Sequence, residues 1–312
     1  MNTLLLFICA GVVAAAESRT SVLVVVGAEG EAEYGRQFQQ WAGRWKESAQ
    51  NGNADFTQIG FDESGDTTDR QRLEKWLTTD AATSDGPLWL VLIGHGTFDG
   101  KTARFNLRGP DVSAADLAAW LKPVARPLAI VNCASSSGPF LNELSGPNRF
   151  VVTATKSGTE VNFARFGDYL SSAICDPRAD LDKDEQISLL EAFLLAAAGV
   201  REFYAREGRL ETEHPLIDDN GDRLGTRADW FRGVRAMKTP QNGARPDGAR
   251  ANQMHLIRGP QERQLSASAR ERRDQLELDL VGLRERKSEM SEDEYFKLLE
   301  PILVELAKLY GE

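Results

Sequence analysis

The strongest constraint on this chain is a repeated pattern of short, unbroken apolar runs separated by stretches whose apolar residues recur at helical spacing. Ser21–Val26 and Leu88–Ile93 are the clearest runs, with 128–131 and 150–153 following and 56–61 a weaker member. A strand apolar on every residue must be covered on both faces, which is the condition of a parallel sheet flanked by crossover helices. The intervening stretches supply those helices. Tyr34, Phe38, Trp41 and Trp45 fall on one helical face, as do Leu73, Trp76 and Leu77, and later Leu117, Trp120 and Leu121 behind the capping pair Ser113 and Asp116. Helices are also predicted over 166–174 and 189–204, and a late strand over 254–257. The pairs Gly138-Pro139 and Gly146-Pro147 read as turns, and 205–251, rich in Gly, Asp and Arg, reads as loop. The expected fold is therefore α/β, with three α/β/α layers around a mainly parallel sheet.

After Gly259-Pro260 the composition shifts to Arg, Glu and Leu at helical spacing. Leu276, Leu280 and Leu283 share one face, and Phe296, Leu299, Leu303, Leu306 and Tyr310 another. Ser291 and Glu294 cap the second helix, which Pro301 should kink or restart. This predicts a C-terminal helical hairpin over 260–312, docked on the main domain of residues 17–259 or on a partner, with self-association through a short coiled coil as the alternative.

Residues 1–16 carry Leu4, Leu5, Leu6, Phe7 and Ile8 followed by small residues, an apolar stretch too short to span a bilayer. It reads as a signal peptide cut near Ala16, with an uncleaved anchor as the alternative, so the expected location is secreted or periplasmic. Cys133 and Cys175 then remain, in a compartment that favours disulfides. They either pair, or Cys133 is a reactive thiol. The net charge of -10 lacks the basic footprint that nucleic acid requires. No later stretch is apolar enough to cross a membrane.

In an open parallel sheet, ligands bind at the carboxyl ends of the strands. Two chemically capable residues follow apolar runs there: His95, within Gly94-His95-Gly96, and Cys133, within Asn132-Cys133-Ala134. Each alone would be an ordinary turn histidine or buried cysteine; on adjacent parallel strands they would emerge side by side. A His-Gly after one hydrophobic block and a Cys after the next resemble the clan of cysteine peptidases that contains caspases, legumains and gingipains, over roughly residues 21–204.

That resemblance implies a caspase-like fold and a cysteine endopeptidase acting on protein or peptide substrates. Cys133 would be the nucleophile, His95 the acid that protonates the leaving amine, and the amides of Gly96 and Cys133 the oxyanion hole. No cofactor is required for such chemistry. The residues around Cys133, Val131-Asn132-Cys133-Ala134-Ser135, match neither the caspase nor the legumain motif, so substrate preference does not carry over. Glu29 and Glu160, in loops after the first and fifth strands, are candidates for favouring a basic substrate side chain, against the ordinary fate of a solvated carboxylate. The rival reading is a binding module that keeps the scaffold without turnover; a third is an exported esterase or transferase using the same thiol.

A second constellation runs from Asp180 to Glu191. Asp180, Asp182 and Asp184 occupy the first, third and fifth places of an EF-hand calcium loop, Gln186 supplies a backbone carbonyl at the seventh, Ser188 stands ninth and Glu191 twelfth. Glu185 stands where the sharp turn wants glycine, so the alternative is an acidic helix start without metal. Asp218, Asn220 and Asp222, with Asp229 at the twelfth place, form a weaker echo. His214 and His255 belong to no ligand pattern, and neither H-E-x-x-H nor C-x-x-C occurs.

Overall fold

The computed structural model describes residues 19–62, 65–238, 240 and 244–311; the expected signal peptide over 1–16 lies outside them. In chain order the strands are β1 (Ser21–Val26), β2 (Asp55–Ile59), β3 (Leu88–Ile93), three short ones β4 (Gly96–Phe98), β5 (Ala103–Phe105) and β6 (Val112–Ser113), then β7 (Leu128–Asn132), β8 (Arg149–Thr153), β9 (Leu216–Asp218) and β10 (Thr226–Arg227). The main sheet has the order β10-β9-β8-β7-β3-β1-β2. It is parallel from β2 to β8, while β9 and β10 add antiparallel. The strands β4, β5 and β6 form a small antiparallel sheet just beyond β3.

Because β1, β3 and β7 are apolar on alternate residues as well as on neighbouring ones, each face of the sheet gathers its own core. On one face Val24, Val91 and Val131 pack with Phe38, Trp41 and Trp45 of α1 (Ala32–Asn51), and with residues of α5 (Phe166–Ala173) and α6 (Leu189–Arg206). On the other, Leu23, Leu90 and Ile130 meet α2 (Asp69–Thr78), α3 (Ala114–Trp120) and α4 (Gly138–Leu144). The three-layer α/β/α arrangement is the one expected. The capping box is present too: Asp116 N–H donates to Ser113 Oγ at 3.2 Å, and Ser113 N–H to the Asp116 carboxylate at 2.9 Å.

Several expectations change. Residues 254–257 form no strand; His255 makes an isolated bridge to Ser188. Gly138-Pro139 opens α4, since a proline in the first turn needs no N–H. The stretch 205–251 contains β9 and β10, whose two or three residues are too few to show a period.

The C-terminal segment is a hairpin of α7 (Ala267–Glu285) and α8 (Glu292–Leu309), and α8 runs unbroken through Pro301. It docks on the main domain, where Gln253 Nε2 donates to the Asp274 carbonyl at 2.8 Å and to Glu277 at 3.2 Å. Within the segment, α7 is locked to the turn that precedes it by a buried ion pair: Arg273 and Glu262, 5% and 6% exposed, are joined by two bonds of 2.7 and 3.0 Å. The outer side of α8 exposes Phe296, Leu303 and Val304. Removing one partner of a buried pair leaves an uncompensated charge. Glu262→Ala should therefore cost about 3 kcal/mol in urea denaturation, whereas a loss below about 1 kcal/mol, the range of surface pairs, would show that α7 is not locked there.

Candidate active site

The register of β3 on β7 sets the site. Leu92 lies opposite Asn132, and Cys133 N–H donates to the Leu92 carbonyl at 2.9 Å, so the two strands leave the sheet together at their carboxyl ends. Side-chain parity does the rest. Trp89, Val91 and Ile93 point to the α1 face, as do Ala129, Val131 and Cys133, so the next residue of that parity after Ile93 is His95. His95 stands against the rings of Tyr34, Phe38 and Phe163, at centroid distances of 4.9, 5.2 and 5.8 Å. When Nε2 carries the ring proton it donates to the Glu29 carbonyl at 3.2 Å, leaving Nδ1 as the basic nitrogen. Gly96 is required by packing: a Cβ there would lie 2.1 Å from the Ser135 carbonyl oxygen, which is how closely the turns after β3 and β7 approach.

Cys133 is 1% exposed and belongs to the core of that face. Gly167 of α5 lies between it and the Trp41 indole, since a Cβ on Gly167 would fall 2.7 Å from each. Burial pushes the thiol up to about 12, and the nearby Glu213 carboxylate adds to the effect. The sulfur is therefore a covered thiol, held protonated by its burial. The oxyanion donors expected from the resemblance are not free either. The Cys133 amide continues the ladder to Leu92, and Gly96 N–H donates to Ser135 Oγ at 3.3 Å. No disulfide forms: Cys133 is buried and free, Cys175 exposed and free.

Gly167, at the start of α5, is the backbone packed against Cys133, and it is reached from β8 through the segment 154–166. That segment lies on the turn after Cys133, where Ser136 N–H donates to the Glu160 carbonyl at 2.8 Å. Two consecutive residues absent from the expected site hold it down. Glu213, 1% exposed, accepts the N–H groups of Arg165 at 2.8 Å and Phe166 at 3.0 Å, where α5 begins. His214, expected to have no partner, binds Glu160: Nδ1 to Oε1 at 2.5 Å and its N–H to Oε2 at 3.2 Å. Glu160 is therefore occupied and unable to select a basic substrate side chain. The Glu29 carboxylate is folded onto the first turn of α1, where a Cβ on Gly35 would meet it at 2.0 Å. Beside His95 opens a cleft of about 380 Å³ whose lining includes Tyr34, Trp41, Phe163, Arg165 and Phe203.

In the acidic loop the carboxylates of Asp180, Asp182 and Asp184 converge within 4.8 Å of one another. Glu185, in the glycine place, adopts φ of 65°, so the left-handed turn is made without glycine. Ser188 and Glu191 form a capping box at the start of α6; Glu191 Oε2 accepts Ser188 N–H at 2.9 Å, and Oε1 accepts Leu181 N–H at 2.7 Å. The side chain of Gln186 donates to Asp184 at 2.8 Å and accepts from Gly259 N–H at 3.2 Å, while Lys183 Nζ reaches the Asp180 carbonyl. The donor set fits a hard divalent cation. In the weaker echo, Asp218 and Asp222 converge with Asp247, while Asp229 pairs with Arg227 and Lys238.

No family model and no curated protein matches the sequence. Among solved structures the chain is similar to the Drosophila initiator caspase Dronc, at 13% identity over 67% of this chain and 83% of that one, with a TM-score of 0.42. It is similar also to caspase-1 from Spodoptera frugiperda (10% identity, 64% and 86%, TM-score 0.41) and to Raptor of Chaetomium thermophilum (12%, 51% and 18%, 0.35). What this chain can do is read from its own residues.

Burial raises Glu213 from an ordinary 4.5 to about 7. Between those values the folded state keeps a proton that the unfolded chain has lost, so this residue makes stability fall as pH rises through that window. The full effect is about 3 kcal/mol. Glu213→Gln should flatten the pH dependence of unfolding between pH 4.5 and 7 relative to the parent; an identical slope would mean that the carboxyl is not buried as described.

Proposed function

We propose that the protein is a cysteine endopeptidase with Cys133 as nucleophile and His95 as its acid and base, described here in a latent form. The supporting observation is the β3–β7 register: two residues able to share a proton follow adjacent parallel strands at one rim and lie on one face. In the reaction His95 takes the thiol proton and the sulfur attacks the peptide carbonyl. The imidazolium returns the proton to the departing amine, and water hydrolyses the thioester. No cofactor takes part. An exported location belongs to the same reading and rests on the apolar stretch within residues 1–16.

Calcium at 180–191 is part of the proposal. Asp180, Asp182, Asp184 and the Gln186 carbonyl would hold it, while Glu191 stays in the capping box of α6, and the ion would supply charge neutralisation and loop order rather than chemistry. The covered thiol favours one second reading, a scaffold that binds a peptide or protein partner without turnover, with the exposed face of α8 as a further contact surface.

Digestion of a mixed peptide library separates the two. Defined cleavages should appear, fall at least 1000-fold in Cys133→Ala and in His95→Ala, and weaken on chelation together with the melting temperature. A library left intact by the parent protein even after its thiol has been made accessible would leave the scaffold reading in possession.

A further inference from the structure

We propose that the consecutive pair Glu213-His214 is an autoinhibitory clasp that ties down the 154–166 segment and with it the start of α5, which packs on Cys133, so that the site opens when the pair lets go. The inference concerns regulation and rests on the reading of Cys133 as a nucleophile. Both limbs of the segment are gripped from one place. On the limb leaving β8, Glu160 is bound by the imidazole and amide of His214. On the limb entering α5, the amides of Arg165 and Phe166 are bound by Glu213. The next residue, Gly167, packs on the Cys133 Cβ, so the second grip fixes the piece of backbone that lies against the buried cysteine. Between the two grips the Phe163 ring packs at a tilt against Tyr34, at a centroid distance of 4.5 Å, and stands beside His95, so the same segment closes the histidine side of the rim.

The clasp is built to be released from outside the core. Glu213 and His214 precede β9, an edge region paired to β8 by only three residues. Their other tether is the exposed turn 205–210 after α6, where Gly208 takes φ of 62° and Leu210 is 89% exposed. Tyr204 O–H, in α6, also donates to Glu213 at 3.3 Å and lies 2.8 Å from Thr212 Oγ1, so the clasp closes on the end of the helix that leads into that turn. A buried carboxylate is a costly way to begin a helix when Ser or Asp at the surface would serve. Placed beside a thiol, it also disfavours the thiolate, which is the effect wanted of a lock.

Alkylation of Cys133 by iodoacetamide, in a Cys175→Ser background and read by peptide mass spectrometry, tests this without needing catalysis. The parent should react slowly, and His214→Ala and Glu213→Gln should each raise the rate at least tenfold while unfolding remains cooperative. Glu262→Ala, which loosens the distant hairpin, controls for global unfolding and should leave the rate near that of the parent. Unchanged rates in both clasp variants, or an equal rise in the hairpin variant, would overturn the clasp. Peptide hydrolysis in the same samples keeps the two ideas apart. An open but inactive thiol sinks the peptidase and spares the clasp; full hydrolysis by the parent that the variants do not increase does the reverse.

Discussion

The hydrogen bond from Cys133 N–H to the Leu92 carbonyl is the interaction on which the site depends. It extends the parallel β3–β7 ladder by one rung past Asn132 and so fixes which residue of each strand first emerges from the core. A slip of one residue in this register would turn Cys133 to the opposite face, toward Leu90 and Leu92 of β3, and part it from the histidine. The apolar residues on both strands, covered by helices on both sides, make such a slip costly: each buried Val, Leu or Ile contributes about 1.5–3 kcal/mol. The fold therefore holds the pairing far more firmly than either polar residue could by itself.

The same burial that fixes the register sets a conflict at the sulfur. A nucleophilic thiol needs access and a nearby positive charge, whereas Cys133 has Gly167 and Trp41 above it and the Glu213 carboxylate near by. Neither amide that would receive an oxyanion is available, one held by the sheet and the other by Ser135. The thiol is closed off by the start of α5, whereas the two amides are held separately, by β3 and by Ser135. Two glycines make this rim possible: Gly96 lets main chain approach main chain, and Gly167 lets α5 approach the Cys133 Cβ, at distances no added Cβ would permit.

Most of the fold was legible because its central strands are buried on both sides. Nothing in Val22 to Val26 or Leu88 to Ile93 is compatible with an exposed position, and the helices around them carry apolar stripes at helical spacing. β9 and β10 were hidden because they are only three and two residues long, with Leu216 and Ile217 the apolar pair that reaches the two cores. In the site, His95 and Cys133 could be found from their place after apolar runs. Glu213 could not, since a carboxylate in a Gly- and Arg-rich stretch looks solvated and only the tertiary fold takes it under α5. Glu160 was visible as a loop residue, but its function was misjudged because His214, 54 positions away, satisfies it. The acidic loop shows the opposite case. Glu185 stands where the turn wants glycine, yet the backbone there adopts the left-handed conformation with a side chain present.

The most direct test of the central claim is to map the covalent adduct formed by a peptidyl acyloxymethyl ketone, an electrophile that reacts with activated thiols in a peptide-binding site. With the clasp released, the adduct should lie on Cys133, should be prevented by excess peptide substrate, and should be lost in His95→Ala although the thiol is still present. An adduct on Cys133 that forms equally fast without His95, or labelling confined to Cys175, would contradict a shared site at the ends of β3 and β7.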